Sequence, residues 1–142
     1  MKVYVASKFE NKLAVREFYK KLIYDGHTIT HDWTNEDASG LVGVALEDYL
    51  NACANKDVGG VLDGEAFVLL HYEKISGAAS EFGIAIADQV LRSPDKLIVI
   101  VDGHHPEKPR NIFFHLAYVR HVKDEDEARA VLKAHERALR EG

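Results

Sequence analysis

Short apolar runs alternate along the chain with longer stretches in which apolar residues recur at helical spacing. Lys2-Val3-Tyr4-Val5-Ala6 is a β-branched and aromatic run that predicts a first strand. From about Glu10 to Tyr24, Leu13, Val15, Phe18, Leu22 and Ile23 give an apolar stripe, and Asp25-Gly26 stops it, with Gly26 at the C′ position. His27 to His31 predicts a second strand, with Asp32-Trp33-Thr34 at its carboxyl end. Asn35 to Gly43 is a polar, glycine-containing loop. Helical spacing returns from Val44 to Lys56 through Leu46, Tyr49, Leu50 and Cys53, and Asp57 to Leu62 predicts a short turn or helix.

Asp63-Gly64 then introduces Ala66-Phe67-Val68-Leu69-Leu70, an apolar run bounded by turn residues that reads as a buried central strand. A polar loop runs from His71 to Ser76. Gly77 opens a helix with Phe82, Ile84, Ala85, Ile86, Val90 and Leu91 as its apolar positions and Ser76 as its N-cap. After the stop at Ser93-Pro94, Leu97 to Val101 is wholly aliphatic, as a fully buried parallel strand requires. A loop from Asp102 to Arg110, an aromatic helical turn from Asn111 to Leu116, an edge strand from Tyr118 to Val122 and a charged helix from Lys123 to Glu141 complete the pattern. The alternation predicts an α/β fold: a single-domain parallel sheet of about five strands, Rossmann- or flavodoxin-like, with helices on both faces. The loops at the carboxyl ends of the strands then form one functional rim.

Composition narrows the function classes. The 142 residues suit one domain, and 46% hydrophobic with 29% charged residues is ordinary for a globular protein. A net charge of -5 with scattered basic residues argues against a nucleic-acid polymer as partner. Cys53 is the only cysteine, which excludes an internal disulfide and a cysteine zinc cluster and makes a cytoplasmic location the default expectation. No apolar run approaches the roughly 20 residues that span a bilayer, so no membrane is expected. The first strand begins directly after Met1, so no signal peptide is expected.

The chemistry-bearing residues cluster on the expected rim. Glu81 is the sole acid in the first turns of the helix that follows the central strand, among Gly, Ala and Ser, where packing needs no carboxylate. The helix dipole favours its ionised form there, and the alternative is a solvated surface Glu. Tyr4 lies in the first strand and reads as either core or site. Trp33 is the only tryptophan, a core residue or a face on which a planar base stacks. Asp57 precedes the central strand, as a helix-surface acid or a site carboxylate. His71, His104, His105 and His115 have no metal-ligand spacing. The dinucleotide fingerprint, the P-loop and the GxSxG elbow are all missing from the sequence.

Taken together, four stretches resemble the nucleoside 2-deoxyribosyltransferase superfamily, which includes base-exchanging transferases and hydrolases of 2′-deoxynucleoside 5′-monophosphates. Lys2 to Lys8, KVYVASK, is similar to the family's first strand and substrate loop. Asp57 to Val68, DVGGVLDGEAFV, is similar to its acid-containing turn. Gly77 to Ala87, GAASEFGIAIA, resembles the segment that carries its catalytic Glu, and Lys108 to Ile112, KPRNI, matches a late Lys-Pro-x-Asn stretch. The resemblance spans residue 2 to about residue 122. It implies that Glu81 is the nucleophile at C1′, that Tyr4 orients it, and that Asp57 contacts or protonates the leaving base. Trp33 would stack on the base, and Ser7, Lys8, Ser76 and Gly77 would hold a 5′-hydroxyl or phosphate. Asn111 would complete a neighbouring subunit's site.

Where the transferases keep a sugar-binding Asp, Ile75 and Ser76 stand here, which is more similar to the monophosphate hydrolases. The implied ligand is a nucleoside or nucleotide, with no metal and no organic cofactor. A TIR-like NAD glycohydrolase and a non-catalytic nucleotide-binding module remain alternatives. Ile112, Phe113, Phe114, Leu116 and Tyr118 crowd large apolar side chains into one short segment. That patch, with the resemblance, predicts a homo-oligomer, a dimer or higher.

Overall fold

The computed structural model describes residues 1–72, 75–107 and 109–142; Glu73 and Lys74 of the polar loop and Lys108 of the late Lys-Pro stretch lie outside the described residues. Five strands form one sheet: β1 (Lys2–Ser7), β2 (Thr28–Ile29), β3 (Ala66–Leu70), β4 (Leu97–Val101) and β5 (Val119–Val122). All pairs are parallel, in the order β2-β1-β3-β4-β5. This is a flavodoxin-like order, within the parallel α/β class that the sequence predicts, and the direction of winding reverses between β1 and β3. Three helices connect strands, α1 (Lys12–Tyr24), α2 (Gly43–Asp63) and α3 (Gly77–Leu91), and α4 (Glu125–Glu141) follows β5.

The wholly apolar sequences of β3 and β4 follow from burial on both faces. On one face α2 and α3 pack against each other. On the other α1 and α4 meet through a bidentate pair between Arg129 and Asp25, at 2.7 and 2.8 Å. The register sets Tyr4 beside Phe67, with their rings stacked 6.0 Å apart. Phe82 of α3 packs edge-on against Phe67, and Phe114 edge-on against Phe82. Burying each such ring stabilises the fold by roughly 1.5–3 kcal/mol. Beneath them Lys96 is a buried clip. Its ammonium donates to Val61 O, Gly64 O and Asp88 Oδ2 at 2.6, 2.6 and 2.8 Å, so each of its protons has an acceptor.

Local details depart from the sequence expectations for physical reasons. The stretch Asp57 to Leu62 is not separate; α2 is one helix of 21 residues that takes it in. A Cβ at Gly60 would meet His31 Cβ at 2.8 Å and the Tyr4 ring at 2.9 Å, so a residue without a side chain lets α2 lie directly on β1. β2 is shorter than His27 to His31, because only Thr28 and Ile29 pair with β1. Helical spacing also marks a stripe wider than the sheet covers. Leu13, Ile23, Val90 and Leu91 are exposed, and α3 buries Ala78, Phe82, Ala85 and Asp88 instead. Gly26 does take the left-handed conformation expected of it, with φ +89°. Among the described residues no helix is long and apolar enough to cross a membrane.

Candidate active site

A cleft of about 640 Å³ opens at the carboxyl ends of β1 and β3, where the strand order reverses. Doubly wound sheets bind ligands at such a point, because neighbouring loops there turn to opposite faces and leave a crevice. Seven of the nine residues singled out in the sequence line it: Ser7, Lys8, Trp33, Asp57, Ser76, Gly77 and Glu81. Tyr4 lies just behind, and Asn111 stands apart.

Glu81 is placed by α3, whose small first-turn residues let the helix approach the end of β3. The Tyr4 hydroxyl, reaching up from β1, donates to Glu81 Oε2. Tyr4 is a core residue, its ring fully buried against Phe67, and its hydroxyl also reaches the Glu81 carboxylate. Burial pushes Glu81 up to about 7, the Tyr4 hydrogen bond opposes the rise, and Asp57 and Glu36 add to it. Burial also pushes the Tyr4 phenol far above its usual range, so it stays protonated and remains a donor. The expectation that the helix dipole keeps Glu81 readily ionised is thus outweighed by desolvation.

Trp33 is fixed from behind. Its indole N–H donates to Val5 O at 2.7 Å. Thr34 N and Thr34 Oγ1 both donate to Asp32 Oδ1, and Arg16 of α1 donates to Thr34 Oγ1 and Thr34 O. This side-chain-closed turn leaves Trp33 packed in the core yet bordering the cleft, with Phe9 tilted against it at 6.3 Å.

Glu36 follows on the same turn, its N–H donating to Trp33 O at 3.0 Å. His31 Nε2 lies 3.4 Å from Glu36 Oε2 and 3.3 Å from Asp57 Oδ1, so one imidazole bridges two carboxyl groups. Burial pushes Asp57 up to about 6, with Glu36 adding to the rise and His31 opposing it. Among the described residues this is the one group whose donor atoms, all within 4.8 Å of one another, are close enough to hold a cation.

Sequence reasoning missed His31, Glu36 and Tyr19. A signal was present for the first two, since His31-Asp32-Trp33 and Glu36 lie together at the carboxyl end of β2. Tyr19 gave none, because it falls on the apolar stripe of α1. It is 6% exposed, and its hydroxyl has no partner among the described residues.

At the other end of the cleft Ser76 precedes α3 without capping it through its side chain, which corrects its expected role as side-chain N-cap. Gly77 and Ala78 of the first turn border the cleft there, leaving a helix N-terminus open toward it. Ser7 is already engaged: its hydroxyl donates to Leu70 O at 2.7 Å and accepts from Asn11 Nδ2 at 3.3 Å. Asn111 lies outside the cleft. Its Oδ1 accepts from Phe113 N at 3.0 Å and caps the 3-10 turn Ile112–His115.

The dispersed histidines also come together, away from the cleft. His71 stacks on His105 at 4.7 Å, and His115 stacks on His121 at 5.7 Å. His104 Nε2 donates to the Glu125 carboxylate at 2.9 Å while its ring stacks on Tyr72. These contacts tie the loop after β4 to β3, β5 and α4.

The arrangement supplies a half-buried, oriented carboxyl group, a second carboxyl group of raised proton affinity and an aromatic wall. It also has a helix N-terminus suited to an anion. No family model, no curated protein and no solved structure matches the chain.

Proposed function

We propose that the protein is an N-glycosidase of the nucleoside 2-deoxyribosyltransferase type, cleaving 2′-deoxynucleoside 5′-monophosphates. The single observation that carries this reading is the Tyr4 hydroxyl donating to Glu81 Oε2 at the floor of a cleft that Asp57 and Trp33 also line. A half-buried carboxyl group with one oxygen held by a phenol has a fixed rotamer and presents its other oxygen to a ligand.

In the proposed reaction the Glu81 carboxylate attacks C1′, and the C1′–N bond breaks with its electron pair passing to the base. The Asp57 proton moves to the departing base. The sugar remains as an ester of Glu81. Water then attacks C1′, its proton passes to the Asp57 carboxylate, and the ester bond breaks to regenerate Glu81. Trp33 stacks on the base. The 5′-phosphate lies at the N-terminus of α3, beside Ser76 and Gly77, with Lys8 on the same rim. No step needs a metal or an organic cofactor.

The homo-oligomer belongs to the same reading. Phe114 is core and Leu116 packs beside it, but Ile112 and Phe113 remain 74% and 58% exposed. A second copy covering them would bring the neighbouring Asn111 toward a partner's cleft; a monomer in sedimentation at working concentration would remove this part.

The test is chromatographic detection of free base from a panel of deoxynucleosides, their 5′-monophosphates and NAD. Base release from monophosphates is expected, and it should fall by roughly 10³-fold or more in Glu81→Ala with circular dichroism unchanged. Near wild-type turnover in that variant would remove Glu81 from the mechanism. Release from NAD alone would replace the substrate class.

A further inference from the structure

Three groups from three separate elements meet at the wall of the cleft. His31 follows β2, Glu36 lies in the loop after Trp33, and Asp57 sits on α2, with Glu36 and Asp57 bordering the cleft. His31 Nε2 is 3.4 Å from Glu36 Oε2 and 3.3 Å from Asp57 Oδ1, and all three donor atoms lie within 4.8 Å of one another. Hydrogen bonding does not account for this approach. Nε2 carries at most one proton, so it serves one carboxyl group at a time. It is hydrogen-bonded to Glu36, while Asp57 Oδ1 is sealed from solvent with no hydrogen-bond partner among the described residues. A buried carboxylate oxygen without a donor is costly. Contacts outside the cluster hold the three residues in place. Beside His31, Thr30 Oγ1 donates to Gly60 O at 2.7 Å, on the turn of α2 that follows Asp57. Beside Glu36, Asp37 N donates to the Tyr49 hydroxyl of the same helix at 2.7 Å. The bare Gly60 lets His31 Cβ come directly against α2. The donor set is thus prearranged by backbone and packing rather than gathered from loose surface side chains.

We infer that His31 Nε2, Glu36 Oε2 and Asp57 Oδ1 bind a zinc-class divalent cation, with an open coordination position facing the cleft. A tetrahedral ion with metal–ligand bonds of roughly 2.0–2.2 Å holds its donor atoms roughly 3.3–3.6 Å apart. The two separations from His31 Nε2, 3.3 and 3.4 Å, fit that spacing. The donors choose the ion. One imidazole with two carboxylates suits zinc and its first-row neighbours, whereas calcium and magnesium take oxygen ligands. Three protein ligands leave a fourth position for water or for an anionic group of a cleft ligand, as open zinc sites do. The cation satisfies the orphaned Asp57 Oδ1 and offsets the two carboxylate charges together. One consequence rests on the glycosidase reading: an Asp57 carboxylate committed to the ion has no proton to pass to the departing base, so the bound ion inhibits base release.

Calorimetric titration of the chelator-treated protein with zinc chloride tests the site directly, with magnesium chloride as the comparison ion. One zinc per chain and no comparable magnesium binding are expected. The chain has eight histidines, so variants decide where the zinc sits. Glu36→Gln, Asp57→Asn and His31→Ala should each weaken zinc binding by at least the roughly 10–100-fold that loss of a ligand's outer partner costs. His104→Ala and His135→Ala, away from the cleft, should leave it unchanged. Glu36→Gln keeps the side chain's size, so it decides the matter even if His31→Ala fails to fold. Cobalt(II) gives a second readout: the visible bands of a tetrahedral ion should appear in the wild type and vanish in Glu36→Gln. Absence of zinc binding, or zinc binding that survives the three substitutions, would overturn the inference. Base release from deoxynucleoside 5′-monophosphates should fall as the site fills and recover with a chelator. Zinc held by these residues without base release from any monophosphate keeps the metal site and fails the glycosidase reading. Base release indifferent to a filled site keeps the metal site and overturns the inhibition.

Discussion

Replacing Glu81 with Gln should stabilise the protein, and do so far more at pH 8 than at pH 5. The Glu81 carboxyl rises from the usual 4.5 to about 7 in the folded chain, chiefly through burial. Between those values the native state keeps a proton that the unfolded chain has lost. The slope of unfolding free energy with pH follows the protons bound unfolded minus those bound folded, which is negative across this window. Stability therefore falls as pH rises from about 4.5 to about 7, and above 7 the full penalty applies. A rise of this size corresponds to about 3 kcal/mol, and the open cleft screens part of it, leaving about 2–3 kcal/mol.

Glu81→Gln keeps an oxygen to accept from Tyr4 but cannot ionise, so it escapes that penalty. At pH 5 the carboxyl is already neutral, and the two proteins should agree within about 1 kcal/mol. Urea unfolding at pH 5 and pH 8 measures both differences without any substrate. For a chain of this size the gain at pH 8 should appear as a rise in Tm of several degrees, at roughly 2–4 °C per kcal/mol. A stability difference independent of pH, or a variant less stable at pH 8, would refute the claim that Glu81 is a desolvated acid under strain.

Two further outcomes follow from the same contacts. Tyr4→Phe removes the hydrogen bond that favours the Glu81 carboxylate, so the acid limb of the kcat/KM profile should move upward by about one pH unit, hydrogen bonds to charged groups being worth ~1.5–3 kcal/mol. A limb that stays in place while only Tm falls would leave Tyr4 a core residue. Gly60→Ala should cost about 1–3 kcal/mol in urea unfolding, because its methyl would meet His31 and the Tyr4 ring below 3.0 Å. A net gain from better helix propensity would show that α2 lifts away easily, against the close packing seen here.

The parallel sheet was legible because parallel strands buried on both faces are written as unbroken apolar runs, and β3 and β4 are such runs. Glu81, Asp57 and Trp33 stood out because each is a residue type that its local packing does not require. Tyr4 was ambiguous for the opposite reason, since an aromatic ring in a strand satisfies the core whether or not its hydroxyl has work to do. His31, Glu36 and Tyr19 were hidden because their roles depend on three elements meeting. His31 leaves β2, Glu36 sits in a polar loop and Tyr19 lies on the apolar face of α1. Only the approach of α2 onto β1 at Gly60 brings Asp57 against the first two. Residue spacing carries no record of such a meeting. The exposed Val90 and Leu91 show the converse limit, because helical periodicity marks apolar residues without saying how much of the helix the sheet covers.

The electrostatics of the cleft argue against a purely structural reason for it. Glu36, Asp57 and Glu81 all line the cleft; Glu36 raises the proton affinity of Asp57, and both raise that of Glu81. The described side chains around them include no buried Lys or Arg to neutralise the set; the buried ammonium of Lys96 is instead committed to Asp88 and two carbonyls. A fold selected only for stability would not gather acids at a desolvated switch point, where burial and neighbouring carboxyl groups resist the ionisation of Asp57 and Glu81. The arrangement becomes favourable when positive charge arrives between them. In the proposed reaction a sugar losing its base would develop that charge at C1′, and groups that repel one another in the cleft would then attract the reacting centre. On that proposal the destabilisation of the resting site and the stabilisation of the transition state share one source, and interaction energy withheld in the free protein would be realised only as the glycosidic bond breaks.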